Sequence, residues 1–175
     1  AMLVAMILFT ISRVDVEEML EEIEWSTLLF FAGLFILVGV LEEKGVIEWI
    51  AHNVFLQIGE NPYVIVLTVL WVSGIASGFL DNIPFTITMI PVVRLILETT
   101  PIPNDILWWA LALGACFGGN LTVIGASANI VSVGMAKQSG VKISFLEFMK
   151  TSALIAIVTL FVASGYLALY LWLSL

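Results

Sequence analysis

Two apolar stretches of this chain are each longer than a membrane crossing requires, and each is interrupted near its middle by glycine and polar residues. As continuous α-helices, residues 63–97 would extend about 50 Å and residues 106–136 about 45 Å, against a hydrocarbon core of about 30 Å. Both must therefore break. In lipid every backbone polar group needs a partner, so a break at membrane depth survives only against protein or a watery cavity.

The first break is written at Ser77-Gly78-Phe79-Leu80-Asp81-Asn82-Ile83-Pro84. Pro84 has no N–H and biases Ile83 toward an extended conformation, leaving two arms that are each too short to cross. Residues 63–97 thus read as a re-entrant helical hairpin that enters and leaves on one side, with Pro91 only kinking the second arm. In residues 106–136 the interruptions are Gly118-Gly119-Asn120-Leu121-Thr122 and Gly125-Ala126-Ser127-Ala128-Asn129. That pattern reads as a spanning helix unwound in the middle. Pro101–Asp105 forms a surface turn between the two, with Asn104 or Asp105 able to cap the next helix.

Composition supports the same solvent. Hydrophobic residues make up 61% of the chain and charged residues 11%, where soluble domains carry roughly a quarter charged. The expected fold is all-α and polytopic, in the cell membrane. Residues 1–11 read as the end of a span, 25–41 as a second span and 145–173 as the last one, whose Tyr166, Tyr170 and Trp172 suit an interfacial belt. Residues 15–24 and 46–58 read as interfacial helices. The first has Val16, Met19, Leu20 and Ile23 at helical spacing, a capping box at Asp15-x-x-Glu18, and a solvated face of glutamates. Lys137 to Lys142 form a loop, and Ser144-x-x-Glu147 a second capping box.

Net charge of −8 excludes a nucleic-acid partner, which needs a basic footprint. The single Cys116 supports no disulfide framework and reads as a packed, inert thiol. The opening Ala1-Met2-Leu3 lies inside a hydrophobic run without a basic leader, so no signal peptide is read and the chain is expected to be a fragment of a longer protein. With the hairpin entering from outside, Arg13, Lys137, Lys142 and Lys150 fall on the cytoplasmic side and Lys44 and Arg94 near the other, in keeping with the positive-inside rule.

Two breaks imply one shared site, because helix ends at a break expose N–H groups that attract anions and carbonyls that attract cations. The groups on offer are Ser77, Asp81, Asn82, Thr86, Gly119, Asn120, Thr122, Gly125, Ser127 and Asn129. This set is oxygen-rich and suits a hard cation, with a sodium site expected at Ser77, Asp81, Asn82 and Asn120. The absence of thiolate and imidazole clusters disfavours a soft transition metal, and no other cofactor is expected. Asp81 is the one acidic residue expected deep in the hydrophobic region, where insertion costs about 2.5 to 3.5 kcal/mol. It either ligands a cation, carries a proton, or caps the hairpin's own N–H groups. The competing account of Gly118, Gly119 and Gly125 is close helix packing, which does not need Asn120, Thr122 and Asn129. His52 reads as an interfacial side chain, and Arg94 as one that snorkels.

The strings EWSTLLFFAGLFILVGVLE, SGFLDNIPFTITMIPVV and LALGACFGGNLTVIGASANIV resemble the ion transporter superfamily of arsenite efflux pumps, NhaD-type sodium/proton antiporters, the melanosomal P protein and sodium-coupled dicarboxylate transporters. The nearest likeness is to the arsenite-pump and P-protein branch, with its citrate-transporter-like domain. The resemblance implies two inverted repeats, of which this chain supplies the second, the C-terminal half. It also implies a homodimer and elevator-type motion, with the N-terminal repeat and membrane lipid as further partners. The dicarboxylate branch carries Ser-Asn-Thr at the hairpin tip with a further Ser upstream. Ser77 and Asn82 match that pattern, while Asp81 and Ile83 depart from it and favour cation or proton handling.

The function these features lead to is secondary active transport of an inorganic ion or small anion coupled to sodium or protons, in the manner of arsenite efflux or sodium/proton antiport. A sodium-coupled carboxylate transporter is the alternative within the same class. An intramembrane serine hydrolase would need a base that surface-bound His52 does not supply, and a zinc protease several ligands that are absent. A noncatalytic assembly subunit accounts for the helices but not for the two polar breaks.

Overall fold

The computed structural model describes residues 25–55, 59, 61–102 and 104–174. The expected span at 1–11, the interfacial helix at 15–24 and Arg13 lie outside them, as do the side chains of Asn104 and Asp105. The chain divides into two compact units, 1–34 and 35–175. Of the first, the described part is the opening of helix α1 (Trp25–Glu43).

The described residues are helical, with no strand among them. After α1 come α2 (Val46–Ile50), which widens into a π turn at Ala51–Phe55, then α3 (Pro62–Ser77), α4 (Asn82–Thr99), α5 (Asn104–Gly118), α6 (Ser127–Gln138) and α7 (Phe145–Ser174). Ile47, Ala51 and Phe55 bury one edge of the α2 segment, while Glu48, Trp49 and His52 are exposed. Residues 56–58, the end of the expected interfacial helix, are not among those described.

Two details differ from the sequence expectation. Ile83 is helical rather than extended, because α4 already starts at Asn82 and Pro84 sits in its first turn. The N–H groups of a first turn have no helical acceptor, so a proline costs little there. Beyond α6 the turn is shorter than 137–142, since the helix continues to Gln138 and reverses at Gly140 with φ +85°.

The core of the 35–175 unit is a set of apolar stripes. Met89, Val92, Val93 and Ile96 of α4 are buried at i, i+3, i+4, i+7 spacing, against Ile65, Val66, Val69 and Leu70 of α3 and Ile106, Leu107, Ala110 and Leu111 of α5. Along α7 only Ala156, Leu160, Ala163, Leu167 and Leu171 are buried. Its other faces present Leu154, Ile155, Val158, Phe161, Val162 and Leu173, all more than half exposed. A 30-residue apolar helix with a single covered stripe has oil, not water, as its natural surroundings. Both α4 and α7 are long and apolar enough to cross a membrane.

The closest packing is between α3 and α5. A Cβ on Gly118 would lie 2.0 Å from the Gly74 carbonyl oxygen, and one on Gly114 2.4 Å from that of Leu70. The two backbones touch where side chains would normally separate them, as small residues permit in membranes. A bond from Trp71 Nε1 to Ser164 Oγ at 3.1 Å ties α3 to α7 as well.

Candidate functional site

The first break occupies Gly78–Asp81. The N–H of Gly78 turns back to Gly74 O and Ile75 O, and those of Phe79 and Leu80 to Ala76 O, so the end of α3 is closed by its own carbonyls. Asp81 takes an extended conformation and caps α4, its Oδ1 accepting the Ile83 N–H at 3.1 Å. Aspartate suits this position because a short carboxylate reaches the orphan N–H groups and opposes the positive end of the helix.

The second break runs through two short 3₁₀ turns, Gly119–Leu121 and Val123–Gly125, separated by extended Thr122 and followed by extended Ala126. Buried Thr122 holds it to the first. Its Oγ1 donates to Gly78 O at 2.6 Å and accepts the Gly125 N–H at 3.2 Å. Asn129 spans the break from the other side, its Nδ2 donating at 3.0 Å to the carbonyls of Gly119 and Thr122. Gly125 is enclosed: a Cβ there would lie 2.5 Å from Gly119 O, 2.8 Å from Gly78 O and 2.9 Å from Ser77 O.

Across the two breaks, Ser127 Oγ donates to Asp81 Oδ2 at 2.5 Å. Ser127 opens α6 and Asp81 caps α4, so two positive helix ends share one carboxylate. The carbonyls of Ser77, Gly78 and Gly119 close around Gly125 at the node where the breaks meet. Of these carbonyls, Gly78 O already accepts from Thr122 and Gly119 O from Asn129.

The ten residues expected to form a site fall into two groups. Ser77, Asp81, Asn82, Gly119, Thr122, Gly125, Ser127 and Asn129 meet at this node, Asn82 through its Cβ, 3.6 Å from where a Gly119 Cβ would be. Thr86 and Asn120 instead bond back one turn along the chain, Thr86 Oγ1 to Asn82 O at 2.7 Å and Asn120 Nδ2 to Cys116 O at 3.3 Å. Ser77 is fully buried, and its hydroxyl proton goes to Ala115 O at 2.8 Å in the α3–α5 seam. Of the expected sodium set, Asp81 and Asn82 lie at the node, while the Ser77 hydroxyl is turned into the α3–α5 seam and Asn120 bonds back to Cys116 O. Among the described residues no group of three His, Cys, Asp or Glu side chains gathers to hold a metal.

Two further features have no counterpart in the sequence reading. Asp81 also borders an apolar cavity of about 400 Å3 lined by Phe55, Val72, Pro84, Phe85 and Met89. Ser152 of α7 donates to Phe148 O at 2.9 Å and lies 3.5 Å from Leu121 O in the second break; its sequence signal is a hydroxyl in an apolar helix. Cys116 corrects an expectation: it is exposed rather than packed, because the buried face of α5 at this level is Gly114, Ala115 and Gly118.

No solved structure matches the chain. Among curated proteins, an uncharacterized transporter of Mycobacterium tuberculosis (strain ATCC 25618 / H37Rv) is 46% identical over 175 residues, 99% of this chain and 40% of its own length. The 46 kDa membrane protein of Mycobacterium leprae is 43% identical over 174 residues, 98% of this chain and 40% of its own. The human P protein is 44% identical over 161 residues, 87% of this chain and 19% of its own. This chain thus spans about 40% of the length of the mycobacterial relatives. The profile of the CitMHS family, described as citrate transporter, matches residues 1–114. A match over more than half of the chain, carried through the first break, places this protein in the CitMHS citrate transporter family of membrane transporters.

Proposed function

We propose that this chain is the C-terminal half of a secondary active transporter's ion-handling domain. In this reading α3 and α4 form a re-entrant hairpin, α5 and α6 a broken span, and their joined breaks one half of a transport site. The other half comes from an N-terminal repeat, the protein works as a homodimer in the cell membrane, and the hairpin bundle moves as an elevator. The cargo is an inorganic ion or small anion coupled to sodium or protons, as in arsenite efflux or sodium/proton antiport.

The observation that carries this is the bond from Ser127 to Asp81. It sets a carboxylate between the N-termini of α4 and α6, where its charge decides the selectivity of the node. Ionised, Asp81 cancels two positive helix ends and leaves a surplus of oxygen for a hard cation such as sodium. Neutral, it leaves those ends uncompensated and open to an anion. Binding of sodium or a proton at Asp81 and binding of an anion at the same helix ends are thereby coupled through one group, with Asn82 beside it as a further oxygen donor. Thr122, Asn129 and Ser77 position the backbone around it.

The family's description as citrate transporter favours a second reading, sodium-coupled uptake of a carboxylate, in which the same helix ends would receive the substrate carboxyl groups. Proteoliposome flux with the protein at its native length separates the two. Uptake of arsenite or of sodium against a proton gradient supports the first, and sodium-dependent uptake of citrate the second. No flux of any of these under either gradient would refute the transporter reading of the node.

A further inference from the structure

Two adjoining cavities lie where α6 passes into α7, the second reaching Ser152 beside the second break. One, of about 340 Å3, has Lys137 and Lys142 in its wall. The other, of about 480 Å3, runs from Lys142 over Ile143, Phe148 and Ile155. Both share Lys142, Ile143 and Glu147, so together they make one groove with two lysines and a glutamate at its mouth and an apolar floor. The Glu147 carboxylate accepts the Ser144 N–H at 2.9 Å and the Ser144 hydroxyl at 2.8 Å, which hold it ionised, so it offsets one of the two lysines and the mouth keeps one net positive charge. Around the groove Val141, Phe145 and Leu146 are 56%, 45% and 61% exposed. Lysines interleaved with exposed apolar and aromatic side chains at a helix end are the composition of a membrane–water interface.

We propose that this groove is a docking site for an anionic phospholipid, with the phosphate between Lys137 and Lys142 and an acyl chain along Ile143, Phe148 and Ile155. Charge and shape together select that occupant. A soluble anion satisfies the lysines and leaves the apolar floor wet. A zwitterionic lipid covers the floor, but its own ammonium competes with the lysines for the phosphate. The exposed face of α7, which continues through Leu154, Val158 and Val162, gives the acyl chain a path toward the bilayer interior. The site does not depend on what the transporter carries.

The test is native mass spectrometry of the protein at its native length in neutral detergent, titrated with phosphatidylglycerol, phosphatidylcholine and soluble glycerol phosphate. Phosphatidylglycerol is expected to bind in preference to the other two and to weaken as salt is raised. One lysine at an anionic surface is worth about fivefold in affinity, so the Lys137→Gln/Lys142→Gln variant should lose roughly 25-fold. Both side chains are exposed, and an unchanged thermal midpoint would show that the variant folds. In Ile143→Ser, a loss for phosphatidylglycerol with none for glycerol phosphate would establish the floor. Equal binding of phosphatidylcholine, equal binding of glycerol phosphate, or undiminished phosphatidylglycerol binding by the double lysine variant would each overturn the assignment.

Discussion

Asp81 and Ser127, 46 positions apart, meet in a hydrogen bond of 2.5 Å in which the serine hydroxyl donates to the carboxylate. Neither residue belongs to a helix interior: one caps α4 and the other opens α6. Asp81→Asn keeps the shape and an acceptor for Ile83 but removes the charge shared by two helix ends. Cation-coupled flux in proteoliposomes should fall at least tenfold, with its pH dependence flattened and anion binding strengthened. Ser127→Ala, which leaves the charge, should cost only severalfold. Wild-type flux and pH dependence in Asp81→Asn would remove the carboxylate from the mechanism.

Glycine matters unequally along the chain. A Cβ on Gly118 would stand 2.0 Å from the Gly74 carbonyl, whereas nothing lies within 4 Å of one on Gly134. Gly118→Ala must push α3 and α5 apart, and overpacking of this kind costs about 1 to 3 kcal/mol. Gly134→Ala, inside α6, should instead stabilise by about 0.4 to 1 kcal/mol. Thermal midpoints of the two variants in one detergent should move in opposite directions.

Cys116 is exposed one turn before Asn120, whose amide donates to the Cys116 carbonyl. If the second break borders a watery path, a charged thiosulfonate reagent added from one side of the membrane should modify this thiol, and saturating substrate should slow the reaction. Modification by uncharged maleimide alone would mean that Cys116 faces lipid.

Both breaks are legible in the sequence because glycine and polar residues interrupt the overlong apolar runs; length alone is not enough, since α7 runs 30 residues unbroken. The Ser144–Glu147 capping box is legible because it is local, and its reciprocal bonds form. The pairing of the breaks is not legible. Thr122 and Asn129 look like ligands among the polar residues, yet their donors are spent on backbone carbonyls of Gly78, Gly119 and Thr122. That distinction depends on which backbone groups the break leaves orphaned, a tertiary fact. The exposure of Cys116 escapes the sequence because in a membrane protein an apolar run does not mark a buried face. The helical Ile83 escapes it because the same proline that breaks a helix interior is tolerated in a first turn.

Thr122 is where positioning and ligation separate experimentally. Thr122→Val preserves volume and β-branching while removing the hydroxyl that serves both Gly78 O and the Gly125 N–H. Gly78 O would then lose its hydroxyl partner, at about 1 to 3 kcal/mol for an unsatisfied buried group, and the Gly125 N–H would keep only its 3.4 Å bond to Thr122 O. Thr122→Ser keeps the hydroxyl and should restore most of that loss, since the groups it serves remain in reach. Because the bonds involved are to backbone, the valine variant should lower the thermal midpoint and flux together while leaving the sodium concentration for half-maximal flux within about twofold. Thr86→Val, which removes only a bond within α4, should change neither by a comparable amount. A Thr122→Val protein with wild-type stability and a tenfold higher sodium requirement would show instead that the Thr122 hydroxyl is itself a ligand, and that the weld between the breaks rests on Asp81 and Ser127 alone.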